Sequence, residues 1–257
     1  MMASLDLHPE SRNLSCAWAE AFLRVIEPGV TELMPLTVTV ADLADGVAKE
    51  EDKIRIRLDR ELLAQGFQDC HTVANTIFPD SLRDPAGGAE KLFARYERIW
   101  PRIKRHHSNR RGTYFRRLTA YGARGSSKGV NQLRHIIETY KRGNHRRSAL
   151  QGAIFDPSQD HTHSRRQGFP CLQQVSFLPC SGNGLTVVGF YATQYLFERA
   201  YGNFLGLCRL GRFMAGEMGL TLVQMTSIAA VAQLGNVSKG AVEDFAENLR
   251  KLLAERG

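Results

Sequence analysis

Apolar residues recur every three to four positions in several parts of the chain, which predicts amphipathic helices. The clearest case is NQLRHIIETYKRG, where Leu133, Ile136 and Ile137 share one helix face and Gly143 marks the stop. The same spacing predicts a closing helix over residues 239–256. Both segments alternate this apolar face with charged positions, so each helix should lie at the surface of a core.

Turn residues bound two further predicted helices. Residues 89–100 lie between the loop RDPAGG and Pro101, and this proline should end the helix. Residues 195–218 are apolar on most sides, and Gly219 stands where a left-handed residue ends a helix. A helix that is apolar nearly all round is typical of a buried central element.

Short apolar or alternating runs predict four strands, over residues 147–155, 171–178, 184–191 and 221–232. Strands and helices mixed around a single sheet indicate an α+β or α/β fold. A chain of 257 residues with 43% hydrophobic content can bury one large core, and we expect a single domain spanning residues 1–257.

The composition indicates a protein of the cytoplasm. The longest apolar run, near residues 222–232, is too short and too interrupted to cross a bilayer, and the start MMASLDLHPE lacks a signal pattern. We therefore expect no membrane partner. The five cysteines lie far apart and are interpreted as reduced thiols rather than a disulfide framework.

Positive charge is concentrated in one block of the chain. The net charge is +8, and residues 101–147 hold fourteen Lys or Arg but only one acid, Glu138. Arginines with scattered aromatic residues suit the phosphates of a nucleotide or a nucleic acid. The block therefore predicts nucleic acid as one partner, with a solvated basic face as the alternative.

Three segments occur in an order that resembles a known enzyme family. They are NQLRHIIETYKRGNHRRSALQGAIFDPSQD, FPCLQQVSF and AYGNFLGLCRLGRFMAGEMGL. Over residues 113–235 these segments resemble the helix with paired arginines, the Pro-Cys strand and the Asn helix of thymidylate synthases and related pyrimidine hydroxymethylases. The resemblance implies an α+β fold with a mixed β-sheet packed by helices.

The resemblance also implies site residues. Cys171 would be the nucleophile, whose thiolate adds to a pyrimidine carbon so that the neighbouring carbon can take up a one-carbon unit. Asn203 would read the base edge. Arg146 and Arg147 would reach the phosphate in the partner's site of a homodimer, and Arg166, with Arg165 beside it, would bring positive charge to the thiol.

Several positions depart from the family pattern. Ala192 stands in place of an arginine that binds phosphate, Thr193 keeps a substrate-binding hydroxyl, and Tyr195 replaces the aspartate that orients the folate pterin. Ala230 and Ala232 stand where the family has the His and Tyr that hold the sugar hydroxyl. The resemblance still implies methylenetetrahydrofolate as the cofactor.

The functional hypothesis is a methyl or hydroxymethyl transferase acting on a pyrimidine nucleotide or a related ring. The alternative is a non-catalytic nucleotide-binding or nucleic-acid-binding protein on the same scaffold, with Cys171 as a core thiol. A zinc site from His161, His163 and Cys171 fits no common ligand spacing. Glu90 and Glu97 are candidates for a general base.

Overall fold

One mixed β-sheet organises the molecule. The computed structural model describes residues 3–7, 13–45, 53–125, 127–161, 163 and 170–255. The strands are β1 Ala3–Leu7, β2 Glu32–Val40, β3 Gln151–Ala153, β4 Leu172–Cys180, β5 Gly184–Tyr195 and β6 Thr221–Gln233. They form a six-stranded sheet in the order β1-β2-β6-β5-β4-β3.

The strand directions follow from the connections. A short turn with Gly182 and Asn183 at positive φ joins β4 and β5, which therefore pair antiparallel. The strands β5 and β6 are parallel and are joined through a long helix, as parallel neighbours require. The parallel pair β1–β2 joins this unit because β2 lies antiparallel to β6.

Helices cover one face of the sheet. They are α1 Leu14–Val25, α2 Lys53–Ala64, α3 Cys70–Ile77, α4 Gly88–Ile103, α5 Tyr114–Thr119, α6 Gln132–Arg142, α7 Pro157–Asp160, α8 Tyr201–Met218 and α9 Glu243–Ala254. A π-helical turn, Leu196–Ala200, leads from β5 into α8. Among the described residues, every helix is too short or too polar to span a lipid bilayer.

The helix α8 is the centre of the core. Glycines allow it to approach the sheet closely: an added Cβ at Gly211 would lie 2.8 Å from atoms of Leu222 and Val187. On another side, a Cβ at Gly202 would lie 2.5 Å from that of Val73 in α3. The predicted buried helix is thus confirmed, and Gly219 ends it with φ 72° in the left-handed region.

The opposite face of the sheet carries mostly the less buried side chains of the described strands. Two rows of paired residues cross this face from β2 to β3. One row is Thr37, Ile228, Phe190, Gln174 and Ala153, and the other is Thr39, Thr226, Val188, Ser176 and Gln151. Neither row contains a charged residue, and Phe190 is 43% exposed. We call these two rows the open sheet face.

Two element predictions need correction. The strand expected over residues 147–155 is only Gln151–Ala153, because residues Arg147–Ala149 form a 3₁₀ turn before it. The helix expected to end at residue 100 continues to Ile103, so Pro101 lies inside its last turn. A proline so near the end removes a hydrogen bond from the final turn alone, which the helix tolerates.

Candidate active site around Cys171

Cys171 lies at the start of β4, where the backbone on both sides is fixed. Pro170 before it is buried, and the Cys171 carbonyl accepts the N–H of Ala192 across the strand pair at 2.9 Å. The side-chain amide of Gln173 donates to the same carbonyl at 3.3 Å. The thiol itself is half-buried, so it is both held in place and accessible from one side.

Thr193 is the side chain that faces this thiol from β5. Its hydroxyl donates to the Cys171 sulfur across 3.7 Å, and the residue is exposed to solvent. A hydroxyl donor in this position stabilises negative charge on sulfur. The structure therefore brings together two of the site residues that the sequence predicted.

Two tyrosines border the same thiol. The phenol of Tyr114, at the first residue of α5, has hydrogen bonds with the backbone of Leu172 and Cys171, while burial raises its pKa. Burial also raises the pKa of Tyr191 well above its ordinary value, and the nearby Tyr114 and Cys171 add to the shift. Both phenols therefore stay protonated at neutral pH and can act as neutral hydrogen-bonding groups.

The Tyr191 hydroxyl is completely buried and has no hydrogen-bond partner among the described residues. An orphaned buried hydroxyl costs about 1–3 kcal/mol. Such a group commonly marks a position where a ligand or a water molecule completes the bonding. Tyr191 is paired with Leu172, the residue after Cys171, so a ligand that completed this bonding would lie close to the Cys171 site.

A positive charge comes from a residue that the sequence pattern did not indicate. Arg199, in the π-helical turn, is exposed and donates to Gln68 at 2.9 Å. Its charge reaches Tyr114, where it opposes the upward pKa shift. The spacing could have revealed it, since Arg199 precedes Asn203 by four residues and such pairs share a helix face.

Asn203 lies in the first turn of α8 and is only 4% exposed. Its neighbour Gly202 and the next-turn Gly206 pack tightly on α3, which fixes the rotation of the helix about its axis. Among the described residues, the Asn203 amide has no hydrogen-bond partner. A buried amide of this kind offers a donor and an acceptor to a ligand.

The paired arginines lie elsewhere on the surface. Arg146 and Arg147 are exposed and follow α6, and within the described chain neither guanidinium forms an ion pair. Among the described residues, the side chains that hydrogen-bond to Cys171 are Gln173 and Thr193 rather than these arginines. Arg165 and Arg166 fall outside the described residues, so the structure says nothing of their part in the site.

The candidate general bases are engaged in other contacts. Glu90 accepts two hydrogen bonds of 2.6 Å from Arg134, and Glu97 pairs with Arg116. Both carboxylates are largely exposed. In the part of the chain that the structure describes, no group of three or more His, Cys, Asp or Glu is arranged to hold a metal ion.

The structure also places the positions that depart from the family pattern. Ala192 is the residue bonded to the Cys171 carbonyl, so no side-chain charge can come from there. Ala230 is exposed and Ala232 is buried in β6. Tyr195 ends β5, and the Cβ that Gly235 lacks would lie 3.3 Å from the Tyr195 Cβ. The site therefore keeps its thiol and amide but offers a different set of polar groups around them.

Comparison with known proteins adds no relative to this picture. A scan against protein-family models finds no match to the chain, and a search of curated proteins finds no similar sequence. Function is therefore inferred from the sequence pattern and from the geometry around Cys171.

Proposed function

We propose that the chain is a thymidylate synthase-like transferase, which adds a methyl or hydroxymethyl group to a pyrimidine nucleotide or a related ring through a Cys171 adduct. One observation carries the proposal. Cys171 is half-buried and receives the Thr193 hydroxyl at 3.7 Å, and Tyr191, whose buried hydroxyl has no partner among the described residues, is paired with the adjacent Leu172. A structural core thiol has no need of an unsatisfied hydroxyl nearby.

The proposed chemistry begins at the sulfur. The Cys171 thiolate adds to one carbon of the ring, and the electron pair of the ring double bond moves toward the carbonyl to give an enolate. The neighbouring carbon then forms a bond to the one-carbon electrophile, and the bond from that one-carbon unit to its carrier breaks and leaves its electron pair on the carrier. Loss of the proton from that carbon restores the double bond and expels the thiolate, so the enzyme is regenerated.

The described side chains serve this sequence in different ways. Thr193 donates to sulfur and stabilises the thiolate before addition and after expulsion. Asn203 offers its donor and acceptor to the base edge. Arg199 brings positive charge to the side of the site where Tyr114 lies, and it is a candidate to replace the phosphate-binding arginine that Ala192 lacks.

The family's carbon donor does not fit the residues present in this chain. Methylenetetrahydrofolate needs a carboxylate that accepts from the pterin, and Tyr195 has none. The next carboxylate along the chain, Glu198, is buried and accepts from Asn236 at 2.7 Å. The residues present do not fit the family's pterin contact, so no step is derived through this cofactor.

Adduct formation tests the proposal directly. The protein is incubated with 5-fluoropyrimidine nucleotides, with and without methylenetetrahydrofolate, and the intact mass is measured. The fluorine blocks the proton loss, so the adduct should accumulate on the wild type and be absent from Cys171→Ser. The exposed Cys180 provides the matched control, since Cys180→Ser should keep the adduct.

The alternative, a non-catalytic binding protein, predicts a different result. A non-catalytic binding protein would bind the nucleotide with equal affinity in the wild type and in Cys171→Ser, and no mass shift would appear with any ring or donor. That outcome would remove the nucleophile assignment and leave the fold resemblance.

The transferase proposal includes a homodimer formed through the open sheet face. Between β2 and β3, ten paired residues of this face carry no charge in a chain of net charge +8, and the first charged position in either row is Asp6 of β1, which pairs with Thr37. The centres of interfaces are likewise depleted of charge and enriched in aromatic residues such as Phe190. A two-fold axis through the face would let Arg146 and Arg147 act on the partner's site.

A further inference from the structure

A basic cleft lies apart from Cys171. It is bounded by the end of α4, the start of α5 and loop residues 121–125 and 127, and its volume is about 330 Å³. Six cations and one carboxylate, Asp156, line it. The cations are Lys104, Arg110, Arg111, Arg116, Arg117 and Arg124. Cys171, Thr193 and Asn203 are absent from its lining.

The inner wall of the cleft is rigid. Arg117 forms a buried, two-bond ion pair with Asp160, at 2.6 and 2.8 Å, and also donates to the Ile154 carbonyl. Arg116 pairs with Glu97 and lies over the Trp100 ring, 5.1 Å from its centroid. These arginines therefore shape the cleft, and much of their charge is already compensated.

The outer rim holds cations that lack compensation. Lys104 and Arg110 are exposed and form no ion pair with a described residue. Outside the cleft, Arg102 and Arg105 lie close to Lys104 in the sequence and are also exposed and unpaired among the described residues. We call these four exposed cations the ridge. Residues 101–137 contain no Asp or Glu, so nothing in this part of the sequence offsets the rim.

The length of this ridge favours a polyanion over a single phosphate group. One phosphate is satisfied by two or three donors, but here unpaired cations run from the cleft out along the chain. Gly112 and Gly125, at φ 95° and 53°, add cleft wall without side chains, so a backbone can approach closely. Successive phosphates of a strand match such a row of cations.

We infer that the cleft and its rim, Lys104 and Arg110 with Arg102 and Arg105, bind the phosphodiester backbone of a nucleic acid strand. This surface is separate from the Cys171 site, so it gives the protein a second ligand beyond the proposed nucleotide. Binding depends on charge and is therefore weakened by salt.

Salt-dependent binding tests the inference. Fluorescently labelled 20-mers of one sequence, as single-stranded RNA, single-stranded DNA and duplex DNA, are titrated with the full chain by anisotropy between 50 and 200 mM salt. The double variant Lys104→Ala/Arg110→Ala should bind at least about tenfold more weakly, and the slope of log K against log salt should fall by roughly 1.5. The three strands identify which nucleic acid is preferred.

The matched control removes the same charge elsewhere. Arg250 and Lys251 are exposed at the far end of the chain, in α9, and Arg250→Ala/Lys251→Ala should keep affinity and slope. Equal losses in both variants would show a net-charge effect and overturn the inference. Both pairs are exposed, so thermal unfolding should show that each variant keeps the wild-type fold.

Two competitors separate this site from other ligands. If polyglutamate displaced the labelled strand as effectively as unlabelled strand does, the inference would be overturned, because binding would not depend on phosphate groups. A mononucleotide provides the second competitor. If it displaced the strand at the concentration at which it forms the Cys171 adduct, the inference would also be overturned, because the cleft would then belong to the Cys171 site. Full strand binding by Cys171→Ser supports it, whether or not the transferase proposal holds.

Discussion

Burial divides the five thiols into classes with different chemistry. Cys208 is fully buried, and this burial raises its pKa to about 12. Burial first, then the charge of Asp59, raises the pKa of Cys70 well above its ordinary value. Thiolate is the reactive form, so both buried cysteines should react slowly at neutral pH.

Competitive labelling is expected to reveal this order. With limiting iodoacetamide at pH 8, Cys171 should be modified first, and Cys70 and Cys208 last, as read from peptide masses. Cys171 combines a hydroxyl donor with an accessible sulfur. Labelling of Cys171 no faster than Cys208 would contradict the nucleophile assignment.

Tyr96 gives the molecule a pH dependence at high pH. Burial raises its pKa from 10.0 to about 12, although the hydrogen bond with Thr113 opposes the shift. The unfolded chain therefore loses this proton at a lower pH than the folded chain does. Stability from this group is complete below pH 10 and is lost as the pH rises to about 12.

The loss should amount to about 2 to 3 kcal/mol of unfolding free energy for a shift of about two units. Tyr96→Phe cannot ionise, so denaturant unfolding at pH 9 and at pH 12 should show a smaller decline than in the wild type. Other buried tyrosines decline equally in both proteins and cancel in this comparison. Parallel declines would show that Tyr96 ionises freely in the fold.

At the scale of elements, two glycines of α8 have opposite expectations. Gly202 has no space for a methyl group, because its Cβ would lie 2.5 Å from Val73 and 2.8 Å from a backbone oxygen of α3. Gly216 is exposed and has nothing within 4 Å of the same position. Both glycines are helical, so their substitutions by alanine differ only in the packing of the added methyl group.

Gly202→Ala should destabilise the fold by about 1–3 kcal/mol through overpacking. Gly216→Ala should stabilise it by roughly 0.5–1 kcal/mol through helix propensity. Urea unfolding measures both. Because Asn203 follows Gly202 directly, Gly202→Ala should also weaken nucleotide binding, whereas Gly216→Ala should not. Equal stabilities of the two variants would mean that α3 and α8 are not in close contact.

Periodicity identified the elements whose patterns are strong. The predicted strands near β4, β5 and β6 and the helices α6 and α8 are confirmed, and Gly143 and Gly219 end those helices with positive φ. The strand predicted over 147–155 was too long, since β3 is only Gln151–Ala153, because a short apolar run cannot distinguish a turn from a strand. The elements β1, β2 and α1 to α3 were not predicted at all, since their pairing depends on β6 and α8, far along the chain.

The site was partly predictable for a similar reason. Cys171 and Thr193 are brought together by strand pairing between two segments that both carried a clear strand pattern. Tyr114, Tyr191 and Arg199 join them from a short helix, a buried strand position and a π-helical turn. No local pattern marks a buried phenol as lacking a partner, so Tyr191 needed the packed structure.

At the scale of the whole molecule, the proposed homodimer depends on the open sheet face. Phe190→Asp places a charge at the centre of this face and should convert a dimer to a monomer in light scattering. Leu63→Asp is the control, because Leu63 is a 60% exposed apolar residue on α2, away from the sheet. A wild-type monomer at micromolar concentration would refute the interface.

If residues of both subunits form each site, two inactive variants of the proposed dimer should restore activity when they are mixed. If Arg147 acts on the partner's pocket, then Arg147→Ala and Cys171→Ala should each be inactive in adduct formation or turnover. A mixture that exchanges subunits should regain up to about a quarter of wild-type activity, because one of the two sites in each heterodimer is intact. No recovery after exchange, with dimers present, would place Arg147 in its own protomer's site or outside both.

The position of β6 also sets an order of events during synthesis. This strand is the last of the described strands in the chain, ending at Gln233, yet it lies between β2 and β5 in the middle of the sheet. A nascent chain on the ribosome holds β2 for nearly two hundred residues with one edge unpaired. Until β6 emerges, the two halves of the sheet have no strand to join them. Bare strand edges can pair with other chains, so we expect chaperones to bind the growing polypeptide until β6 emerges.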